Sequence, residues 1–217
     1  MQVLERSKAM AIPPLLRLAF RPFFLAGCLL AVSAIPLWLL AFSGSMSDWT
    51  PAGGWLGWHR HELMFGFGLA IIAGFLLTAV QTWAGRRGLS GRALGALPLL
   101  WLLARVAWLV NAPWPLLVVL EMTFPLAVAV LMAGTLWKVR QKRNYPIVMV
   151  LLLLAVADGL SLYGLLDGHE GWQRQGVLTG LWLVAAMMGL IGGRVIPFFT
   201  QRGLGRVEAV APWPWLD

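Results

Sequence analysis

Six stretches of this chain run for roughly 20 predominantly apolar residues each, the length an α-helix needs to cross the hydrocarbon core of a bilayer. They fall at Phe23–Phe42, Leu63–Trp83, Ala93–Val110, Pro115–Trp137, Pro146–Leu166 and Gly176–Phe199. Only 12% of the 217 residues are charged, whereas an average soluble domain carries about 25%. Such a surface does not dissolve in water. The expected fold is all-α, a polytopic membrane bundle of six transmembrane helices forming a single transmembrane domain over residues 1–217.

The formal net charge of +8 would suggest a nucleic-acid partner in a soluble protein, but its distribution points elsewhere. Arg6, Lys8, Arg17 and Arg21 precede the first helix, and Arg86, Arg87 and Arg92 follow the second. Lys138, Arg140, Lys142 and Arg143 follow the fourth, and Arg202 and Arg206 follow the sixth. The alternate connections hold only Arg60 and Arg174, beside Asp48, Asp167 and Glu170. Basic loops stay in the cytoplasm, so both termini are expected inside. The partner this charge implies is the lipid bilayer and not nucleic acid.

Tryptophans fit the same layout. Trp49, Trp55, Trp58, Trp108, Trp114 and Trp172 fall near the outer ends, and Trp83 and Trp137 near the inner ends, as an aromatic belt would. Cys28 stands alone within the first helix and is read as a small buried apolar residue. The first apolar run is longer than the 7–15 residues of a signal-peptide core and is read as a retained anchor.

The longest connection, about twenty residues from Ser43 to Glu62, carries Pro51, Gly53, Gly54 and several tryptophans. It is expected to fold back on the outer face. On the second helix Gly66, Ala70, Gly74 and Thr78 recur every four residues, a row that lets a neighbouring helix approach closely. Close approach to a flat cofactor would use the same absence of side chains. Pro36 and Pro125 interrupt helices one and four.

Ionisable groups within the hydrocarbon cost about +2.5 to +3.5 kcal/mol each at a helix centre, yet the spans contain Arg105, Glu121, Asp158 and Arg194. Threading the helices puts Arg105, Glu121 and Asp158 in the outer half. All three histidines, His59, His61 and His169, lie on that side with Glu62. Arg194 sits near the inner end. An ion pair of Arg105 with Glu121 or Asp158 would account for part of this network as simple bundle cohesion, and a ligand site would account for all of it.

The densest chemistry is Trp58-His59-Arg60-His61-Glu62, where the loop meets the second helix. At about 100° per residue His59 and Glu62 share a helical face while His61 points away. Both imidazoles can reach one metal only if the segment is extended. If a helix begins at Trp58 they belong to different sites, and Glu62 could orient His59. Neutral imidazole suits haem iron or copper, and the single cysteine argues against zinc or iron–sulfur chemistry.

At these residues the chain resembles the NnrS family of bacterial membrane proteins. Three pieces carry the likeness, in order. The first is Phe20-Arg21-Pro22-Phe23-Phe24-Leu25. The second is Trp58-His59-Arg60-His61-Glu62-Leu63-Met64-Phe65-Gly66-Phe67, continuing to Gly74-Phe75-Leu76-Leu77-Thr78-Ala79-Val80. The third is Gly193-Arg194-Val195-Ile196-Pro197-Phe198-Phe199-Thr200. The resemblance implies an inner-membrane protein containing haem and copper and associated with the response to nitric oxide (nitrosative stress). His59, His61 and Glu62 carry over as motif positions. Members of that family look about twice as long, with roughly twelve helices, so the chain is expected to be either the front half of a longer protein or a short member that pairs with another chain, a second half or a second copy completing a larger bundle.

The ligand candidates are therefore His59 and His61, with Glu62 and His169 as further metal ligands. Arg60, Arg105 and Arg174 are on the side where haem propionates would need cations. Two rival readings remain open: a secondary transporter without a prosthetic group, its helices arranged as two inverted repeats, and an assembly or partner protein with no ligand of its own.

Overall fold

The computed structural model describes residues 11–46 and 48–205, with the side chains of Arg194 and Phe198 excepted. Arg6, Lys8, Arg206 and the Trp-Pro segment before Asp217 lie outside the described residues. Among those described there is no strand, and six helices are long and apolar enough to span a membrane. They are α1 (Phe20–Phe42), α2 (Gly54–Ala84), α3 (Gly91–Leu109), α4 (Trp114–Lys138), α5 (Tyr145–Leu166) and α6 (Glu170–Gly203).

Each expected span is present, but α2 and α6 begin well before the apolar run does. Both start at the same end of the bundle, α2 at Gly54 on a turn of glycine, tryptophan and leucine and α6 at Glu170 on a polar turn. The connection after α1 is accordingly shorter than the apolar pattern suggested, and the His-x-His segment is helical. Gly53 and Gly54 take positive φ there, at 68° and 73°, which lets the chain reverse directly into α2.

Within α2 the residues Glu62–Gly68 form a π-helical stretch between α-helical segments. A π-turn widens the helix by one residue per turn and is often found at functional sites. Here Trp101 of α3 donates its indole N–H to the Gly66 carbonyl at 2.9 Å, supplying a partner from outside the helix.

The four-residue row on α2 does the work of packing. A Cβ on Gly74 would lie 2.9 Å from the Phe23 Cβ and 3.0 Å from Phe24 Cδ1, so α1 seats directly on it. Thr78 accepts from the Phe20 backbone N–H at 2.9 Å and donates to the Gly74 carbonyl at 2.7 Å, pinning the start of α1. The α5–α6 hairpin is tighter still. A Cβ on Gly164 would lie 2.2 Å from the Gln173 amide nitrogen, and one on Gly176 would lie 2.6 Å from the Ala157 carbonyl oxygen. Close backbone approach is how helices associate in lipid, where no hydrophobic force drives them together.

Two local expectations are overturned. Cys28 is exposed on the outer surface of α1; in a bilayer an outward position is itself apolar, so a small apolar residue is as suited to lipid as to a core. Trp58 and Trp108 are 2% and 0% exposed and belong to the core, not to a surface belt. Trp49, Trp137 and Trp172 do face outward.

Candidate functional site

The buried polar residues converge on one place. His61 lies on α2 just before the π-helical stretch, Glu62 at its first position, Arg105 on α3, Glu121 on α4 and Asp158 on α5. None of the five is more than 5% exposed. Arg105 is four residues from the end of α3 and Asp158 eight from the end of α5. At 1.5 Å rise per residue the cluster therefore sits about 6–12 Å inside the ends that carry the histidines.

His61 is held from two sides. Its Nε2 is 2.8 Å from Asp158 Oδ1 and its Nδ1 is 3.5 Å from Glu62 Oε1. The Trp108 and Phe65 rings close over it, with centroids at 4.6 and 5.3 Å. Arg105 then links the second carboxylate to the third. Its Nε is 3.1 Å from Glu62 Oε2 and its Nη2 pairs with Glu121 Oε1. Trp108 also donates its indole N–H to that Glu121 oxygen, and the guanidinium lies 5.3 Å from the Trp101 ring centroid.

Gly66 explains how a guanidinium fits beside α2. A Cβ there would lie 2.8 Å from Arg105 Nη1 and 3.0 Å from Glu62 Oε2, so the missing side chain is the space the charged groups occupy. The row of small residues thus serves helix packing at Gly74 and the polar cluster at Gly66.

Charge is unbalanced in this pocket. Three carboxylates face one guanidinium and one imidazole, so with all three ionised the pocket is short of positive charge whichever form His61 takes. Several polar atoms also lack hydrogen-bond partners: Asp158 Oδ2, both oxygens of Glu62 and His61 Nδ1. Glu62 meets His61 and Arg105 at ion-pair distance without hydrogen-bond alignment. Unpaired buried charge is among the costliest features a fold can carry. A cation resolves it. One ligand atom each from His61, Glu121 and Asp158 lie within 4.8 Å of one another, a span that a single metal ion can bridge.

The remaining candidates lie elsewhere. His59 points away from His61, its ring stacked on Trp38 of α1 at 4.7 Å and 16°. Glu62 faces His61 and does not reach toward His59. His169 is exposed just before α6, 3.9 Å from Asp167. Arg60 pairs with Glu170 at 2.8 Å across the rim of the bundle, and Arg174 is exposed. Arg105 is committed to Glu62 and Glu121, and Asp158 to His61. The Arg194 side chain is outside the described residues.

Comparison with known families decides the assignment. The model of the NnrS protein family matches residues 14–217. The chain belongs to the NnrS family. No curated relative and no solved structure matches it. In this NnrS chain the family-like segment from Trp58 to Phe67 is the segment that delivers His61, Glu62 and Gly66 to the buried cluster.

Trp101 and Trp108 are the participants that sequence reasoning missed. Their signal was helical spacing: Trp101 precedes Arg105 by four residues and Trp108 follows it by three, so each shares a face with the charged residue.

Proposed function

We propose that this chain is an inner-membrane metalloprotein of the bacterial response to nitric oxide, holding one copper ion on His61, Asp158 and Glu121. The observation that carries the reading is the excess of carboxylate over cation in a pocket closed to water and lipid. Imidazole with carboxylate oxygens is a donor set that accommodates Cu(II). Glu62 and Arg105 orient two of those ligands from behind, as outer partners of metal sites commonly do. Copper bound there supplies a redox-active centre within reach of a small uncharged gas dissolved in the bilayer. The chain's own contribution is to fix the donors, balance their charge and exclude water.

Haem, the second group implied by the resemblance, does not fit on His61. Both ring nitrogens face carboxylates, and two aromatic rings cover the imidazole. His59 is the better candidate. It is half-buried beside α1, and its Nδ1 is buried with no hydrogen-bond partner. In this reading the two histidines of the motif serve two different groups. The clustering of basic residues at the opposite end supports an orientation with both termini cytoplasmic and the metal site on the periplasmic side.

The test is the purified protein from haem-competent cells, with nitric oxide challenge of the same strains. His61→Ala should remove copper and leave any haem band, whereas His59→Ala should remove the haem band and leave copper. Both should lower survival under nitric oxide. Colourless, metal-free wild type from the complete gene product would favour a transporter, for which the same carboxylates would carry a coupling cation in transit.

A further inference from the structure

None of His61, Asp158 and Glu121 is more than 3% exposed, so an ion held by them needs a way in. Neither lipid nor an apolar core admits a hydrated cation. On one side of the cluster the core is apolar: Ile147, Leu151 and Leu154 of α5 and Met132 and Leu136 of α4 are at most 1% exposed. Toward the histidine end the cover is thinner. Gly57 of α2 stands one turn before His61, and Leu165 of α5 two turns after Asp158, about 6 and 10 Å along their helices.

Gly57 and Leu165 both line a pocket of about 260 Å³ that opens between the start of α2, the end of α5 and the start of α6. Its polar lining is Arg60, Glu170 and Gln173. Gln173 is 2% exposed and donates from Nε2 to the Gly57 carbonyl at 3.0 Å, which makes it the inner polar wall. Arg60 and Glu170 pair at 2.8 Å from α2 to α6, with side chains 29% and 70% exposed, and so stand at the mouth. Trp108 partitions this space from the cluster. Its ring covers His61 at 4.6 Å and its N–H bonds Glu121, while a Cβ on Gly53, in the pocket wall, would lie 3.6 Å from Trp108 Cζ3.

Given copper held on His61, Asp158 and Glu121 as proposed above, we infer that this pocket is the port by which the ion enters, with the Arg60–Glu170 pair as its latch. No residue lining the pocket is among the proposed ligands. The latch therefore governs how fast the ion passes and not how tightly it is held.

The test loads the full metal-free chain with aqueous Cu(II) and follows it by rapid-freeze electron paramagnetic resonance, counting only the signal that His61→Ala lacks. A chelator chase follows release. Arg60→Gln and Glu170→Gln should each load and release copper about fivefold faster, the equivalent of about 1 kcal/mol for a solvent-exposed ion pair. Copper per chain, Kd and melting temperature should stay at wild-type values in both. Asp167→Asn removes the same charge as Glu170→Gln but lies off the pocket, and should keep wild-type rates. Leu56→Trp, at an exposed position in the pocket wall, should slow loading and release together by filling the mouth. Wild-type rates in the two latch variants and in Leu56→Trp overturn the port. So does slower loading in Glu170→Gln, which would make that carboxylate a capture ligand, or equal acceleration by Asp167→Asn, which would make the effect one of bulk charge. A wild type with no His61-dependent signal defeats the copper reading itself, and the port with it.

Discussion

Replacing Arg105 by Met tests whether the cluster is organised as charge in a low-dielectric pocket. The substitution keeps most of the side-chain volume and removes the guanidinium that meets both Glu62 and Glu121. Breaking one buried pair from one side typically costs about 3–5 kcal/mol, because the partner is left charged and unpaired. Arg105 serves two carboxylates at 5% exposure, which places this case at the upper end of that range. For a chain of this size each kcal/mol moves the melting temperature by about 2–4 °C, so the variant should melt roughly 10–20 °C lower in detergent. Adding Glu121→Leu should recover at least half of the loss, since coupled neighbours are strongly non-additive. A single variant melting within about 2 °C of wild type, on the same scale, would show that these charges are solvated and refute the closed-pocket reasoning.

Other outcomes follow from packing and topology. Gly66→Ala should lower both melting temperature and bound copper, because its Cβ would sit 2.8 Å from Arg105 Nη1. Gly164→Ala should be severely destabilising, with a Cβ 2.2 Å from the Gln173 nitrogen, while Gly134→Ala meets nothing within 4 Å and should gain up to about 1 kcal/mol from helix propensity; paired thermal melts compare them. Cysteines placed near Ser45 and Gly168 should label from the periplasm and those near Arg87 and Gln141 only from the cytoplasm. Periplasmic labelling near Arg87 would reverse the orientation.

The architecture was legible because lipid demands long apolar runs, and all six of them emerged as helices. What hydropathy could not locate were the helix starts at Gly54 and Glu170, since polar residues, His59 to Glu62 in α2 and Glu170 to Gln175 in α6, separate them from the apolar stretch. That difference decided the geometry of the motif. Once His59 and His61 are helical they diverge, and the remaining question is which one enters the core. Helical phase from Arg105, Glu121 and Asp158 does not answer it, because the π-helical stretch after His61 shifts the register of everything that follows in α2. Intramembrane charge marked Arg105, Glu121 and Asp158, which lie together around His61 and Glu62, while the Arg194 side chain is outside the described residues. The partners within that set were only partly legible: Arg105 with Glu121 was among the expected pairs, whereas Asp158 with His61 depends on how α5 and α2 face each other.

The central claim, that His61 and not His59 supplies the single imidazole of a buried copper site, is tested most directly by electron paramagnetic resonance of the Cu(II)-loaded protein with ¹⁵N-labelled histidine. The account predicts coupling to one histidine nitrogen, abolished in His61→Ala and unchanged in His59→Ala. Coupling to two histidines, or a signal that survives His61→Ala, would contradict it.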